Sequence, residues 1–490
     1  MQLFVIALFF AIFFFALQDI EHGELSLAQM TGWQLVAVVI VPKLVIAAVY
    51  AIVCRFTLKS LTRPNYHRHL RRLDRLTSLY RLGILLLYLL DLACGALDQL
   101  HQLIGQRVIL ISELLIMLPP LLLLIAGWWA YYPIDRRLRD ADLISRIDQG
   151  MPVHPIWSRS QYITAQFRYQ IALLFIPLTV LLALIQLIEY FAPRDLSFWS
   201  VDPRPMLHIC GAACVLFFSP LMIRHIWKTA PLPEGELRQR LLAMCKQHQV
   251  GVRDLLLWQT FGGIVNAAVM GLIRPMRYIL LSDGMVELLH RPQVEAVMAH
   301  ELAHVRRRHM FWLISSALVL MFSLVIAWSA AAIIIERTFG DMTSANAKVA
   351  VSWFKSTAVG TLVSVGSWIF VFGWVSRRFE RQADAFAVQH AASERGEMDD
   401  NGSYMIDAQS VDTMVEALNQ VAVLNHIDPK KKSWRHGSIH WRQQHLHSLI
   451  GMASDDLPID RTVNLIKVIS IALIFAGITA IVLLSVVRPA

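Results

Sequence analysis

Long apolar segments separated by shorter polar ones dominate the pattern of hydrophobic and polar positions along this chain. A helix needs about 20 mainly apolar residues to cross the hydrocarbon core of a bilayer. Segments of this kind lie at 34 to 54, 82 to 99, 108 to 131, 170 to 190, 206 to 223, 310 to 333, 350 to 374 and 466 to 487. A shorter one, 2 to 17, lacks a basic flank and a small-residue cleavage site, which favours a retained helix over a cleaved signal. We therefore predict a mainly α-helical, polytopic membrane protein with about eight or nine transmembrane helices.

Two polar blocks interrupt this pattern, at 224 to 309 and at 377 to 465. The first opens with an amphipathic helix at about 234 to 248. Apolar stretches of strand length follow, separated by glycine and proline, at 255 to 258, 264 to 270 and 278 to 281. This pattern predicts a small β-sheet just before a helix near residue 300. The second block predicts a helix that continues from the preceding span, a polar linker and two further helices.

Three domains follow from this arrangement. Residues 1 to 223 form an N-terminal membrane domain of about six transmembrane helices with basic loops. Residues 224 to 465 form a second domain that includes a two-helix membrane hairpin at 310 to 374. Residues 466 to 490 form a C-terminal transmembrane helix.

Composition and charge support the membrane assignment. The 490 residues are 56% hydrophobic with a net charge of +9, and the mean hydropathy is +0.50. Basic residues concentrate in the segment 55 to 81, whereas 18 to 33 is acidic, so the positive-inside rule places the former in the cytoplasm. Alternation then places both polar blocks on the cytoplasmic side. Because topology explains the positive charge, we expect no nucleic-acid partner.

Ionisable residues within the predicted spans need a partner or water, because each is costly in hydrocarbon. Lys43, Asp91 and Glu113 are the cases in this sequence. They could line a polar cavity, or they could form pairs between helices. The sequence leaves both possibilities open.

The candidate chemistry lies at residues 300 to 304, which read His-Glu-Leu-Ala-His. Two histidines four residues apart lie on one face of a helix, so His300 and His304 can bind a single Zn²⁺. Glu301 then lies beside the metal as the general base for a bound water. This pattern indicates a zinc metallopeptidase, and it makes residues 224 to 465 the metallopeptidase domain.

A third zinc ligand must come from elsewhere in the chain. The metzincin pattern requires Gly and His at positions where this sequence has Arg307 and Met310. The best candidate is Glu380, which the membrane hairpin returns to the face that the first two ligands occupy. Asp384 lies one helical turn after Glu380 and is expected to accept the N–H of a zinc-bound histidine.

With these residues in place, the sequence resembles the HtpX and CAAX prenyl endopeptidase family of integral membrane zinc metallopeptidases. That family carries the same zinc motif, a membrane hairpin and a Glu-x-x-Ala-Asp helix, as in Glu380-Arg-Gln-Ala-Asp384. Arg308-His309 also matches a pair that commonly follows the motif helix. We expect His309 to be a structural residue and not a fourth ligand, because a helical period turns it away from His304.

Weaker motifs extend the resemblance over roughly 230 to 450. Asn266-Ala267 resembles a family strand whose edge holds extended substrate, which implies a substrate-binding role for both residues. His436 and Arg442 keep the interval of a family His-Pro-x-x-x-x-Arg element, although Gly437 replaces the proline. The resemblance implies that His436, with Arg442, stabilises the tetrahedral oxyanion.

The function expected from these observations is zinc-dependent endopeptidase activity on membrane or membrane-associated polypeptides. We expect one Zn²⁺ per chain, a multi-pass location in the cell (inner) membrane, and an active site on the cytoplasmic side.

One alternative is a sensor-transducer related to beta-lactam sensor metallopeptidases, since residues 271 to 275 and 304 to 308 are similar to segments of those proteins. An extracellular sensor domain is then expected, whereas the predicted outside loops are about 20 residues or shorter. A catalytically inactive scaffold would require a broken site, and all the expected zinc residues are present.

Overall fold

The computed structural model describes residues 2–16, 32–61, 66–105, 109–148, 150, 152–192, 202–261, 263–339, 357–396, 398 and 402–487. The chain divides into two compact units, Met1–Thr229 and Ala230–Ala490.

The first unit is built from helices. In chain order these are α1 (Gln2–Ala16), α2 (Gly32–Leu35), α3 (Val41–Ser60), α4 (Tyr66–Ala93), α5 (Ala96–Ile104), α6 (Ile111–Asp148), α7 (Arg159–Gln166), α8 (Leu173–Phe191) and α9 (Arg204–Ile226). Short π-helical segments, Val36–Ile40 and Phe167–Ala172, join α2 to α3 and α7 to α8. The acidic segment expected outside the cell lies largely outside the described residues.

Within the described residues, five helices are long and apolar enough to cross a membrane. They are Ala37–Ser60, Arg68–Ala93, Ile111–Asp148, Arg159–Phe191 and Arg204–Ile226. Each overlaps one predicted span, so a mainly helical chain with several candidate membrane helices is confirmed, while the full number of eight or nine spans stays a prediction.

The second predicted span needs correction. We expected it at 82 to 99 with a basic loop before it, but α4 begins at Tyr66 and ends at Ala93. Gly95 adopts a left-handed conformation with φ of 81° and separates α4 from α5. Glycine accepts this conformation without steric cost, so the chain turns here. Most of the basic segment is therefore helical.

All three of the ionisable residues in the predicted spans contact a side chain on another helix of the first unit. Lys43 on α3 lies 2.7 Å from Asp91 on α4, and both side chains are buried. Glu113 on α6 accepts a hydrogen bond from Gln186 on α8 at 2.6 Å. The structure thus supports the interhelical alternative for these residues.

The second unit combines helices with a small sheet. Its elements are β1 (Thr229–Pro231), α10 (Glu236–Gln247), β2 (Asp254–Trp258), β3 (Ala267–Met270), β4 (Tyr278–Ser282), α11 (Asp283–Leu288), α12 (Arg291–Arg306), α13 (His309–Phe339), α14 (Thr357–Arg395), α15 (Ala408–Leu424), α16 (Ile439–His447) and α17 (Pro458–Val487). The helices α13 and α17 contain the predicted spans 310 to 333 and 466 to 487. The helix α14 contains the part of the predicted span 350 to 374 that begins at Thr357, and residues 350 to 356 lie outside the described part.

The sheet has the strand order β1, β2, β4, β3 in the described part of the chain. β2 runs parallel to β4, and β3 runs antiparallel to it with Ala268 opposite Leu280. Side chains such as Leu255 and Ile279 are fully buried in a core that also contains Leu302 of α12. This shared core fixes α12 against the sheet and gives the zinc motif a rigid support.

Candidate metal centre and active site

The helix α12 presents the two histidines of the motif side by side. Its first turn is capped by His290 and Gln293, which exchange side-chain and backbone hydrogen bonds. The Nε2 atoms of His300 and His304 lie 3.3 Å apart. Burial lowers the pKa of His304 to about 4. Its ring is therefore neutral near pH 7, with a nitrogen lone pair available for a metal.

Glu380 on α14 completes a cluster with these two rings. Its carboxylate oxygens lie 3.6 Å from Nε2 of His300 and 3.9 Å from Nε2 of His304. Tetrahedral zinc with bonds of about 2.0 to 2.1 Å separates its ligand atoms by about 3.3 to 3.4 Å. The spacing and the donor types, two imidazoles and one carboxylate, therefore fit a zinc ion. Among the described residues, these three form a group that could hold a metal ion.

Asp384 lies one turn further along α14 and contacts His300. Its Oδ1 is 2.9 Å from Nδ1 of His300. Burial alone would raise the pKa of Asp384, but the Arg442 guanidinium and the His300 ring lower it to about 2. An ionised carboxylate at this point holds the ring proton on Nδ1 and leaves Nε2 of His300 facing the cluster.

Glu301 lies on the same helix turn as His300, beside the strand β3. Burial raises the pKa of Glu301 to about 7, an effect partly countered by the charge of His300 and by the backbone N–H of Val269. A carboxylate with a pKa near neutrality is well suited to take up a proton and release it again.

The strand β3 is an edge strand of the described sheet, and it runs next to α12. The N–H of Ser282 donates to the carbonyl of Asn266 at 3.0 Å. Alternation along an antiparallel pair then directs the backbone groups of Ala267 and Val269 away from β4. These groups are placed where an extended chain could add to the sheet.

His436 reaches the cluster from a tight hairpin. Ser433 and Gly437 exchange backbone hydrogen bonds at 3.0 Å and hold His436 near the tip. Its Nδ1 lies 2.9 Å from Oε1 of Glu380, and its side chain is 49% exposed. Gly437 has φ of +76°, which proline cannot adopt because its ring holds φ near −65°. The glycine at this position therefore gives the backbone a conformation that the proline usual in the family could not adopt.

Arg442 makes a contact with Asp384 that the sequence did not indicate. Its Nε and Nη2 donate to the two carboxylate oxygens of Asp384 at 2.8 and 2.6 Å. Nη1 lies 3.9 Å from Oε2 of Glu380. The guanidinium is thus engaged mainly in holding Asp384.

His309 lies closer to the cluster than a continuous helix would place it. The chain breaks between α12 and α13, where Arg308 has φ of 56°. The ring of His309 therefore faces His304, with 3.0 Å between their Nδ1 atoms. On its other side, His309 contacts Gln382, and Gln382 in turn contacts Asp460. No motif or spacing in the sequence indicates these two residues.

Comparison with known proteins agrees with this geometry. The sequence profile of peptidase family M48 matches residues 231–449. A CAAX prenyl protease 1 homolog from Arabidopsis thaliana is 27% identical over 177 residues, which are 35% of this chain and 40% of the relative. A protease HtpX homolog from Prosthecochloris aestuarii is 28% identical over 140 residues, 28% of this chain and 48% of the relative.

One further relative and one solved structure are also similar to this chain. A protease HtpX homolog from Polaromonas naphthalenivorans is 28% identical over 161 residues, 32% of this chain and 53% of the relative. The chain thus spans about half the length of the curated relatives it matches. The crystal structure of S. mikatae Ste24p is similar with a TM-score of 0.45 and 13% identity, covering 85% of this chain and 99% of the other. That likeness is too distant to bear on the fold or the activity.

The profile match over residues 231–449 and the His-His-Glu group are features typical of a metallopeptidase. Residues 231–449 match peptidase family M48, and this match, together with relatives named CAAX prenyl protease and HtpX, confirms the resemblance that the motifs indicate.

Proposed function

We propose that this chain is a multi-pass membrane endopeptidase that uses one Zn²⁺ to hydrolyse membrane or membrane-associated polypeptides. The observation that carries the proposal is the convergence of His300, His304 and Glu380, with Glu301 beside them and an open strand edge next to Glu301. The three ligand candidates provide nitrogen and oxygen donors at distances that suit zinc, and they leave a coordination position for water or substrate.

The residues around the cluster supply proton transfer. Zinc, when bound, would polarise the scissile carbonyl and lower the pKa of its water from 15.7 to about 7. Glu301 takes the proton of the attacking water and passes it to the leaving amine. The backbone N–H of Val269 faces the Glu301 carboxylate.

Substrate binding is assigned to the edge of β3. An extended peptide can pair with the outward N–H and C=O groups of Ala267, next to Asn266, through main-chain hydrogen bonds. Such pairing gives affinity with little sequence specificity. We infer that His436, whose Nδ1 lies beside Glu380, donates a hydrogen bond to the developing oxyanion, and that Arg442 supports the site through Asp384.

The cytoplasmic face of the cell (inner) membrane is the proposed location of the site. Basic residues on α4 and at the end of α6, including Arg68 and Arg146, support this orientation by the positive-inside rule. Single-cysteine labelling, in a background without the five native cysteines, should report positions 68, 145 and 400 in the cytoplasm and 19, 196 and 342 outside. Positions 68 and 400 on opposite faces would contradict the topology.

The decisive experiment compares wild type with Glu301→Gln and Glu380→Ala. Glu301→Gln should keep zinc and lose cleavage of a casein-like substrate, because the ligands remain and the proton acceptor is lost. Glu380→Ala should lose zinc. Equal cleavage by wild type and Glu301→Gln, or full zinc occupancy in Glu380→Ala, would contradict the proposal. Proteomics of membranes containing wild type or Glu301→Gln would then identify the polypeptides that accumulate.

A further inference from the structure

The ring of His304 has a second contact on the side away from the metal cluster. Its Nδ1 lies 3.0 Å from Nδ1 of His309, the first residue of α13. His309 is only 2% exposed, and its ring stacks on Phe379 with 4.7 Å between centroids and 8° between planes. The contact is therefore buried and held in one orientation.

Polar contacts continue from His309 to the start of α17. Nε2 of His309 lies 2.8 Å from Oε1 of Gln382, which is 2% exposed. The amide nitrogen of Gln382 donates to the Asp460 carboxylate. Arg307 lies 3.7 Å from the other oxygen of that carboxylate. Four side chains from α12, α13, α14 and α17 thus form one continuous line, here called the His304 relay: His304, His309, Gln382 and Asp460.

One assignment of protons satisfies every contact in the His304 relay. If Nε2 of His304 faces the metal, its proton is on Nδ1 and is donated to Nδ1 of His309. His309 then carries its own proton on Nε2 and donates it to the Gln382 carbonyl. The Gln382 amide donates to Asp460, which can only accept. The relay therefore selects the tautomer of His304 that exposes Nε2.

This arrangement parallels the one behind the other histidine. Nδ1 of His300 contacts the Asp384 carboxylate directly, and Arg442 donates hydrogen bonds to that carboxylate. Nδ1 of His304 is connected to the Asp460 carboxylate through His309 and Gln382. Arg307 lies near that carboxylate. Each histidine is thus oriented by a carboxylate that has an arginine beside it.

We propose that His309, Gln382 and Asp460 are positioning residues for the metal ligand His304, so that the first turn of α17 belongs to the metal centre. The proposal rests on the proposed function, because it requires a metal on Nε2 of His304. Partners behind a metal-bound histidine raise its basicity and fix its ring, and their loss typically weakens metal binding by about 10- to 100-fold.

The test uses two variants of His309 in the full-length, detergent-purified protein. His309→Phe keeps the ring that stacks on Phe379 but removes both hydrogen bonds. His309→Asn places an oxygen near the position of Nδ1, so it retains the acceptor for His304. Zinc dissociation constants come from chelator competition, and melting temperatures of the zinc-free proteins report on packing alone. We expect roughly 10- to 100-fold weaker zinc binding for His309→Phe and substantial recovery in His309→Asn.

A matched pair of aspartates tests the far end of the relay. Asp460→Ala removes the last acceptor and should weaken zinc binding several-fold, whereas Asp456→Ala removes an exposed carboxylate that pairs with Arg461 and should leave zinc binding unchanged. Zinc binding by His309→Phe as tight as that of wild type would overturn the relay, as would equal weakening in Asp456→Ala and Asp460→Ala. Wild-type protein that binds no zinc would instead contradict the proposed function, and the relay with it.

Discussion

Arg442 and Asp384 form a bidentate ion pair next to the cluster of His300, His304 and Glu380, with nitrogen-to-oxygen distances of 2.8 and 2.6 Å. Their side chains are 11% and 0% exposed. The pair orders Asp384 against His300, so a guanidinium on α16 determines the orientation of a histidine on α12.

Removal of the Arg442 side chain should damage both stability and metal binding. In Arg442→Leu the buried Asp384 carboxylate loses its main partner, at a cost of about 3 to 5 kcal/mol. Arg442→Lys keeps the charge but not the planar fork and should be intermediate. Thermal unfolding with and without chelator, together with zinc content, measures both effects. Unchanged zinc affinity in Arg442→Leu would show that Asp384 needs no support from Arg442.

His436→Ala tests the proposed oxyanion contact. If His436 acts only in the transition state, kcat should fall by roughly 10²- to 10³-fold while zinc content and substrate affinity remain nearly unchanged. His440→Ala, an exposed histidine four residues further on, is the control. A lower melting temperature with unchanged kcat would instead make His436 a structural residue of the hairpin.

Gly437→Pro restores the residue usual in the family, yet it should destabilise this protein. Proline cannot adopt the φ of +76°, and a Cβ atom here would lie 2.8 Å from the Trp441 ring. It would also remove the N–H that donates to Ser433. Gly437→Ala should cost at least about 1 to 2 kcal/mol from backbone strain alone. Gly396→Ala shares that strain, but among the described residues its Cβ meets no neighbour within 4 Å, so its melting temperature should fall less than that of Gly437→Ala.

The pair of His248 and His390 should make the fold sensitive to acid. Nε2 of His248 lies 3.1 Å from Nδ1 of His390, and burial lowers the pKa of His248 to about 4 from its usual 6.5. Between these two values the unfolded chain binds a proton that the folded protein does not, so stability falls as the pH drops from about 6.5 to 4. His248→Phe should show a shallower fall in melting temperature across this range.

The exposed His447, changed to Gln, is the control for this measurement. A slope in His248→Phe equal to that of wild type would remove this pair as a source of acid sensitivity.

Features that depend on neighbouring residues could be predicted from the sequence. The i to i+4 spacing of His300 and His304 places both rings on one helix face wherever that helix lies. The three predicted strands correspond to β2, β3 and β4, because short apolar runs bounded by glycine and proline are typical of strands. Glu380 was found through the reasoning that a membrane hairpin returns the chain to its starting side, and the structure brings it next to the two histidines.

Other features were decided only by the tertiary structure. Arg442 donates hydrogen bonds to Asp384, 58 residues away in sequence, and no motif spacing predicts this contact. The break at Arg308 turned His309 toward His304, whereas a continuous helix would have turned it away. The contact from Gln382 to Asp460 spans 78 residues. Hydrophobic period and motif spacing describe what one segment favours by itself, whereas these contacts depend on how separate helices pack. The sequence by itself thus determined the chemical groups of the site, and the packing of α12, α13, α14, α16 and α17 decided which groups hold them in place.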